Sequence, residues 1–222
     1  VEIEFMDDQS PHYEAPQQKR SRETMTRILD AAAELLEDKS FDETSINEIV
    51  SRAECSVGAF YGRFKDKDGL LHALDERYFS QFGERIKQFF ESFDQAPGTL
   101  EEVIQETVRV IVDIHQHQRG LMRTLILRAR TSADDRFRQR EAALNSAFPR
   151  YQDLLLGFSD EIEHPEPEKA VAYGFFQLFT SIREKLLWGD ALPAGEFSEA
   201  EFSAEAGRAF LAYLTYDERK EN

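Results

Sequence analysis

The chain has 222 residues, 43 of them Asp or Glu and 27 Lys or Arg, for a formal charge of −16, and 41% of it is hydrophobic. That is the composition of a soluble globular protein with enough apolar mass for a packed core, and no apolar run approaches the roughly 18 residues a membrane helix needs. The single cysteine, Cys55, excludes an intrachain disulfide and a cysteine-based zinc site, so stability rests on packing.

Residues 1–18 hold five acids, no Lys or Arg, and Pro11 and Pro16 without apolar periodicity. They read as a disordered arm, and without a basic region followed by an apolar one they are not a secretory signal, so a cytoplasmic protein is expected. Residues 19–68 hold nine bases and eleven acids. The bases gather at the two ends, with Lys19, Arg20, Arg22 and Arg27 at one and Arg63, Lys65 and Lys67 at the other, so one face there is basic although the whole chain is acidic. The acidic remainder either serves solubility or repels DNA beyond an intended contact.

Helical periods then follow one another with almost no strand signal, which predicts an all-α fold. Ser21 is placed to cap a first helix with Met25, Ile28, Leu29, Ala32, Leu35 and Leu36 on one face, ending near Lys39. Ser45 and Glu48 have the spacing of a capping box and open a second, short helix with Ile46, Ile49, Val50 and Ala53 buried. Ser56 caps a third, through about Phe64, in which Phe60 and Phe64 point one way and Val57, Ala59, Tyr61 and Arg63 stay available. Two short capped helices joined by a tight turn make a helix-turn-helix candidate.

The run Thr44 to Leu71 resembles the DNA-binding domain of the TetR family of transcriptional regulators. The resemblance covers about residues 20–71, from Ile28-Leu29-Asp30-Ala31-Ala32 through Ser56-x-Gly58-x-x-Tyr61-x-x-Phe64-x-x-Lys67 to Leu70-Leu71. Glu54 stands where the family commonly has Gly, Cys55 where it usually has an aliphatic residue, and Gly62 and Arg63 where it often has an aromatic or His. The resemblance implies that Tyr61, Lys67, Thr44 and Ser45 hold phosphates, and that Ser56, Val57, Gly58, Ala59 and Arg63 belong to the helix entering the major groove. Lys19, Arg20 and Arg22 precede the first helix, and either enter the minor groove or lie solvated.

The expected organisation is a 1–18 arm, a 19–67 helix-turn-helix domain and a 68–222 ligand-binding and dimerisation domain. Helices are expected at 68–93, 99–117, 119–130, 134–157, 167–188 and 198–215, broken by Pro97 and Gly98, Gly120, a Ser132-Ala133-Asp134 cap, Pro165 and Pro167, and Pro193 and Gly195, making about nine in all. In the family the last two long helices pair into a four-helix dimer bundle, which here implies Val171, Phe175, Phe179, Ile182, Phe202, Phe210 and Leu214 at the seam. Helical phase offers Phe82, Phe89, Ile111, His115, Leu155 and Phe176 as walls of an effector cavity, suited to an apolar or aromatic small molecule.

His115 and His117 stand two apart and do not share a helix face, so no metal or other cofactor is expected. Cys55 reads as a small buried hydrophobe before a redox sensor. No nucleophile elbow, phosphate loop, metalloprotease helix or dinucleotide fingerprint is present, so an enzyme is not expected. The expected protein is a homodimeric, ligand-released repressor on a palindromic operator of double-stranded DNA. Its rivals are an all-α dimer that has lost DNA binding and an enzyme using the aromatic cavity.

Overall fold

A computed structural model describes residues 19–96, 98–189 and 196–216. The arm expected at 1–18 and the helix breaks at Pro97, Pro193 and Gly195 lie outside them. The fold is all-α, with ten α-helices and no strand among the described residues: α1 (Lys19–Asp38), α2 (Ile46–Arg52), α3 (Val57–Tyr61), α4 (Lys67–Gln95), α5 (Leu100–Gln116), α6 (Arg119–Thr131), α7 (Asp135–Leu144), α8 (Phe148–Leu156), α9 (Pro167–Trp188) and α10 (Glu199–Leu214). No described helix is long and apolar enough to cross a membrane.

Two expectations about elements are corrected. The single helix expected over 134–157 is α7, a 3₁₀ turn at Asn145–Ala147, and α8. Pro149 sits in the first turn of α8, the position where its missing N–H costs nothing, whereas inside a continuous helix it would break the hydrogen-bond ladder. Ser21, expected as the cap of the first helix, lies inside α1, which already begins at Lys19. Lys19, Arg20 and Arg22 therefore belong to the helix and not to a segment before it.

The described residues form two compact units, one within 1–82 and 118–141 and one within 83–117 and 142–222. This division does not follow the boundary at residue 67 read from the motif, because α6 packs with the N-terminal helices. A side chain at Gly120 would lie 1.8 Å from the Leu36 carbonyl oxygen, so only glycine lets the start of α6 press on the end of α1. The Gly120 N–H donates to the Glu37 carboxylate at 3.1 Å, and Leu121, with Leu36, Ile28 and Leu71, is almost wholly buried. In the second unit α5, α9 and α10 pack on one another. Phe210 of α10 lies over Gly174 of α9, where a Cβ would come within 2.2 Å of the ring. Burying this unit's Leu100, Val103, Ile104, Leu155, Val171 and Ile182 supplies about 1.5–3 kcal/mol apiece.

Candidate nucleic-acid interface

α2 starts as the sequence dictates. The Ser45 hydroxyl accepts the Glu48 N–H at 3.2 Å, and the Ser45 N–H donates to the Glu48 carboxylate at 2.9 Å, closing the capping box. Lys39 pairs with the same carboxylate, and with the Ser45 bonds this holds Glu48 down to about 2. The helix ends in a Schellman motif. The Cys55 N–H donates to Val50 O at 3.0 Å and the Glu54 N–H to Ser51 O at 3.2 Å, which puts Glu54 in the left-handed region at φ 49°. This is the position at which a glycine is usual, and Glu54 occupies it at a conformational cost of about 1–2 kcal/mol. Cys55 is half-buried.

Ser56 then caps α3, its hydroxyl accepting the Ala59 N–H at 3.1 Å. Phe60 and Phe64 are fully buried with ring centroids 5.2 Å apart, and they fix the rotation of α3. The opposite face carries Val57, 42% exposed, Gly58, and Tyr61, 56% exposed, with Ala59 half-buried beside them. The nearest atom a Cβ at Gly58 would meet is Ser56 Oγ, at 3.8 Å. None of the described residues requires glycine there.

Several residues expected on DNA are committed elsewhere. Thr44 is 2% exposed, its hydroxyl donates to Ser40 O at 2.9 Å and its N–H to the same oxygen at 3.2 Å, so neither is offered to a phosphate. The hydroxyl and N–H of Ser45 are spent on its own cap. Lys67 directs its ammonium at the carbonyls of Phe41 (2.6 Å), Thr44 (3.0 Å) and Asp42 (3.3 Å), which matches its three donors, and lies 4.6 Å from the Phe41 ring centroid. Arg128 stands 5.1 Å from that ring and pairs with Asp42 at 3.0 Å. Lys67 is therefore a clamp on the loop between α1 and α2.

Arg63 is likewise drawn inward. Its guanidinium donates to Ala59 O at 2.7 Å, to the Ser21 hydroxyl at 3.1 Å, and to Ser21 O through Nε at 3.3 Å, latching the end of α3 to the first turn of α1. A base-reading role for Arg63 would first have to release this latch. Arg22 lies on the exposed side of α1, and Arg27 reaches Glu54 O at 3.4 Å. The side chains of Lys19 and Arg20 lie outside the described ones. The Lys67 clamp and the Arg63 latch were not legible in the sequence, which pairs no residues across such distances.

In the second unit, Phe89, Ile111, His115 and Leu155 are buried, Phe89, Ile111 and Leu155 within the hydrophobic core, and Phe176 is 62% exposed on α9 and lines no interior. Phe82 belongs to the first unit. His115 donates from Nδ1 to Ile111 O at 2.7 Å, and burial pushes its pKa down to about 4, so the ring is neutral near pH 7. His117 caps the exposed end of α5, and among the described residues no cluster of His, Cys, Asp and Glu is placed to hold a metal.

Of the residues expected at a dimer seam, Val171, Ile182, Phe210 and Leu214 are at most 3% exposed, covered by their own unit, and Phe175, Phe179 and Phe202 are half-buried. For the first four this is a correction, since their side chains face their own core. The large apolar side chains that α9 leaves outside are Tyr173, 54% exposed, and Phe176.

Residues 28–74 match the family described as bacterial regulatory proteins, tetR family. An uncharacterised HTH-type transcriptional regulator, YvkB of Bacillus subtilis, is 39% identical over 67 residues, 30% of this chain and 35% of that protein. The HTH-type transcriptional regulator AcrR of Shigella flexneri is 29% identical over 110 residues, 49% of this chain and 50% of the other. The chain thus spans half or less of the length of these curated relatives. A crystal structure of a tetR-family regulator from Mesorhizobium loti superposes with a TM-score of 0.63 over 89% of this chain and 98% of that one, at 23% identity, which shows the shared fold.

Proposed function

We propose that the chain is a member of the tetR family of bacterial regulatory proteins, whose pattern residues 28–74 match, and that it is a homodimeric repressor released from a palindromic operator by an apolar or aromatic small molecule. The observation that carries the DNA-binding face is the exposed surface of α3, where Val57 and Tyr61 flank a glycine that the fold does not need. Small apolar side chains there suit thymine methyl groups, Gly58 admits a backbone close to a base edge, and the Tyr61 hydroxyl suits a phosphate. Lys67 and Arg63 act by positioning α2 and α3.

Two copies paired through the exposed face of α9 would present two α3 helices to successive major grooves about 34–36 Å apart. An effector bound in the second unit would act by favouring the arrangement in which that spacing is lost, and DNA must weaken the effector by the same factor. The relatives are transcriptional regulators, which favours this reading over an enzyme.

Selection of bound sequences from a randomised duplex pool, followed by mobility shift, is the test. A palindromic consensus whose affinity drops steeply as salt rises is expected, because phosphate contacts release counterions. No shifted duplex at low salt would identify the chain as an all-α interaction protein without DNA binding.

A further inference from the structure

Inside the second unit a row of aromatic rings ends near polar groups that no described residue satisfies. Phe148 and Phe175 lie 5.3 Å apart between centroids, and Phe175 and Phe179 stack at 6.0 Å with 22° between their planes. At the far end the Phe179 ring is met by the buried His115 ring at 5.8 Å and by the Arg183 guanidinium at 5.5 Å. Phe148, Phe175 and Phe179 are each half-buried, so the row runs along a wall that part of the solvent reaches.

The Nε–H of Arg183 is buried without an acceptor among the described residues, and so is the hydroxyl of Ser203 on α10. α9 and α10 run antiparallel, since Phe210 faces Gly174 while the end of α10 at Leu214 O receives the N–H groups of Glu163 and His164 just before α9. In that register Ser203, two turns before Phe210, comes level with the turn of α9 that carries Ser181 and Ile182, next to Arg183. The two unsatisfied groups therefore share one end of the helix pair.

Charge narrows the ligand. Among the described residues the carboxylate near Arg183 is that of its sequence neighbour Glu184, at 3.6 Å and 42% exposed, a loose contact that does little to compensate a guanidinium charge only 22% exposed. His115 adds no second charge, since its ring is neutral and presents Nε2 as an acceptor once Nδ1 is spent on Ile111 O. One positive charge at the end of an aromatic wall matches one negative charge on an apolar body. A neutral ligand would leave the guanidinium as costly as before.

We propose that this end of the second unit binds a small monocarboxylate with an apolar or aromatic body, the carboxylate received by Arg183 and the body laid along Phe179, Phe175 and Phe148. The inference rests on the regulator reading above and gives its effector a chemical class. Arg183 is the group that selects the acid, and the phenylalanines select size and apolarity.

The test is calorimetric titration of the full chain at pH 7.5 with benzoate, phenylacetate, octanoate and decanoate, each beside its primary amide. At least one acid is expected to bind tenfold or more tightly than its amide. Arg183→Gln should erase that preference by weakening the acid tenfold or more while leaving the amide alone, and Arg183→Lys should restore part of it. Phe179→Ala, which keeps the guanidinium, should weaken acid and amide alike, and this reads the body separately should Arg183→Gln fold poorly. Amides binding as well as acids, unchanged acid affinity in folded Arg183→Gln, or no binding by any acid would overturn the proposal. Mobility shift on the same preparations keeps the two readings apart: DNA released equally by amides refutes the carboxylate site alone, whereas acid-selective binding by a chain that shifts no duplex refutes the regulator alone.

Discussion

Gly58 lies in a helix where alanine would be preferred by about 1 kcal/mol, and a methyl group there has room. If the residue serves an approaching base pair, Gly58→Ala should leave urea stability unchanged or raise it by up to about 1 kcal/mol, yet lower operator affinity at least tenfold. Undiminished affinity would show that α3 does not enter the groove on this face. Glu54 gives the complementary case, since its φ of 49° favours glycine and its charge lies beside α3. Glu54→Gly should gain about 1 kcal/mol in denaturant unfolding and bind DNA more tightly, most visibly at low salt. A loss of stability would mean that the strained backbone is compensated by contacts of the Glu54 side chain. The residues legible from sequence were those whose bonds are local, such as Ser45 with Glu48 and Ser56 with Ala59. The contacts of Arg63 and Lys67 were not legible because their partners lie 42 and 23–26 residues away, at Ser21 and at Phe41, Asp42 and Thr44.

Among elements, a helical period reveals that a stripe is buried but not what buries it. The stripe of α9 and α10 containing Val171, Ile182, Phe210 and Leu214 was read as a seam between copies, and the chain's own α5, α9 and α10 cover it. Pro149 carried the signal that divides α7 from α8, which the flanking periodicity masked. α5 makes a prediction of its own through His115, buried at 2% exposure with Arg183 nearby disfavouring its protonation. Its folded pKa of about 4 lies below the ordinary 6.5, so between these values the unfolded chain binds a proton that the folded chain refuses. The sign is a loss of stability as pH falls from 6.5 towards 4, up to about 3 kcal/mol for a shift of this size. The Glu48 carboxylate, held at about 2 against 4.5, acts in a lower window that meets this one only between about 4 and 4.5. Urea midpoints at pH 7 and 4.5 should therefore differ less in His115→Gln than in the parent chain. An equal difference in both would assign the acid sensitivity to other groups.

For the whole molecule, a charge of −16 opposes both association with a second copy and approach to DNA, so each contact must be concentrated on a small surface. The α3 face is one such surface. Tyr173 and Phe176, more than half exposed on α9, are a candidate for the other, since a stable dimer seam needs an apolar centre and these are large rings left uncovered by their own chain. Phe176→Glu, or Tyr173→Glu with it, should give a folded monomer in sedimentation, with helicity and urea midpoint close to those of the parent. Operator affinity should then fall by about 10²–10⁴, the avidity lost when two half-sites are no longer held by one dimer. Phe210→Glu separates this from misfolding, because it would force a carboxylate against Gly174 inside the α9–α10 contact and should lower the stability of the chain itself. A Tyr173→Glu, Phe176→Glu double variant that still sediments as a dimer would move the seam to another surface, whatever its effect on DNA.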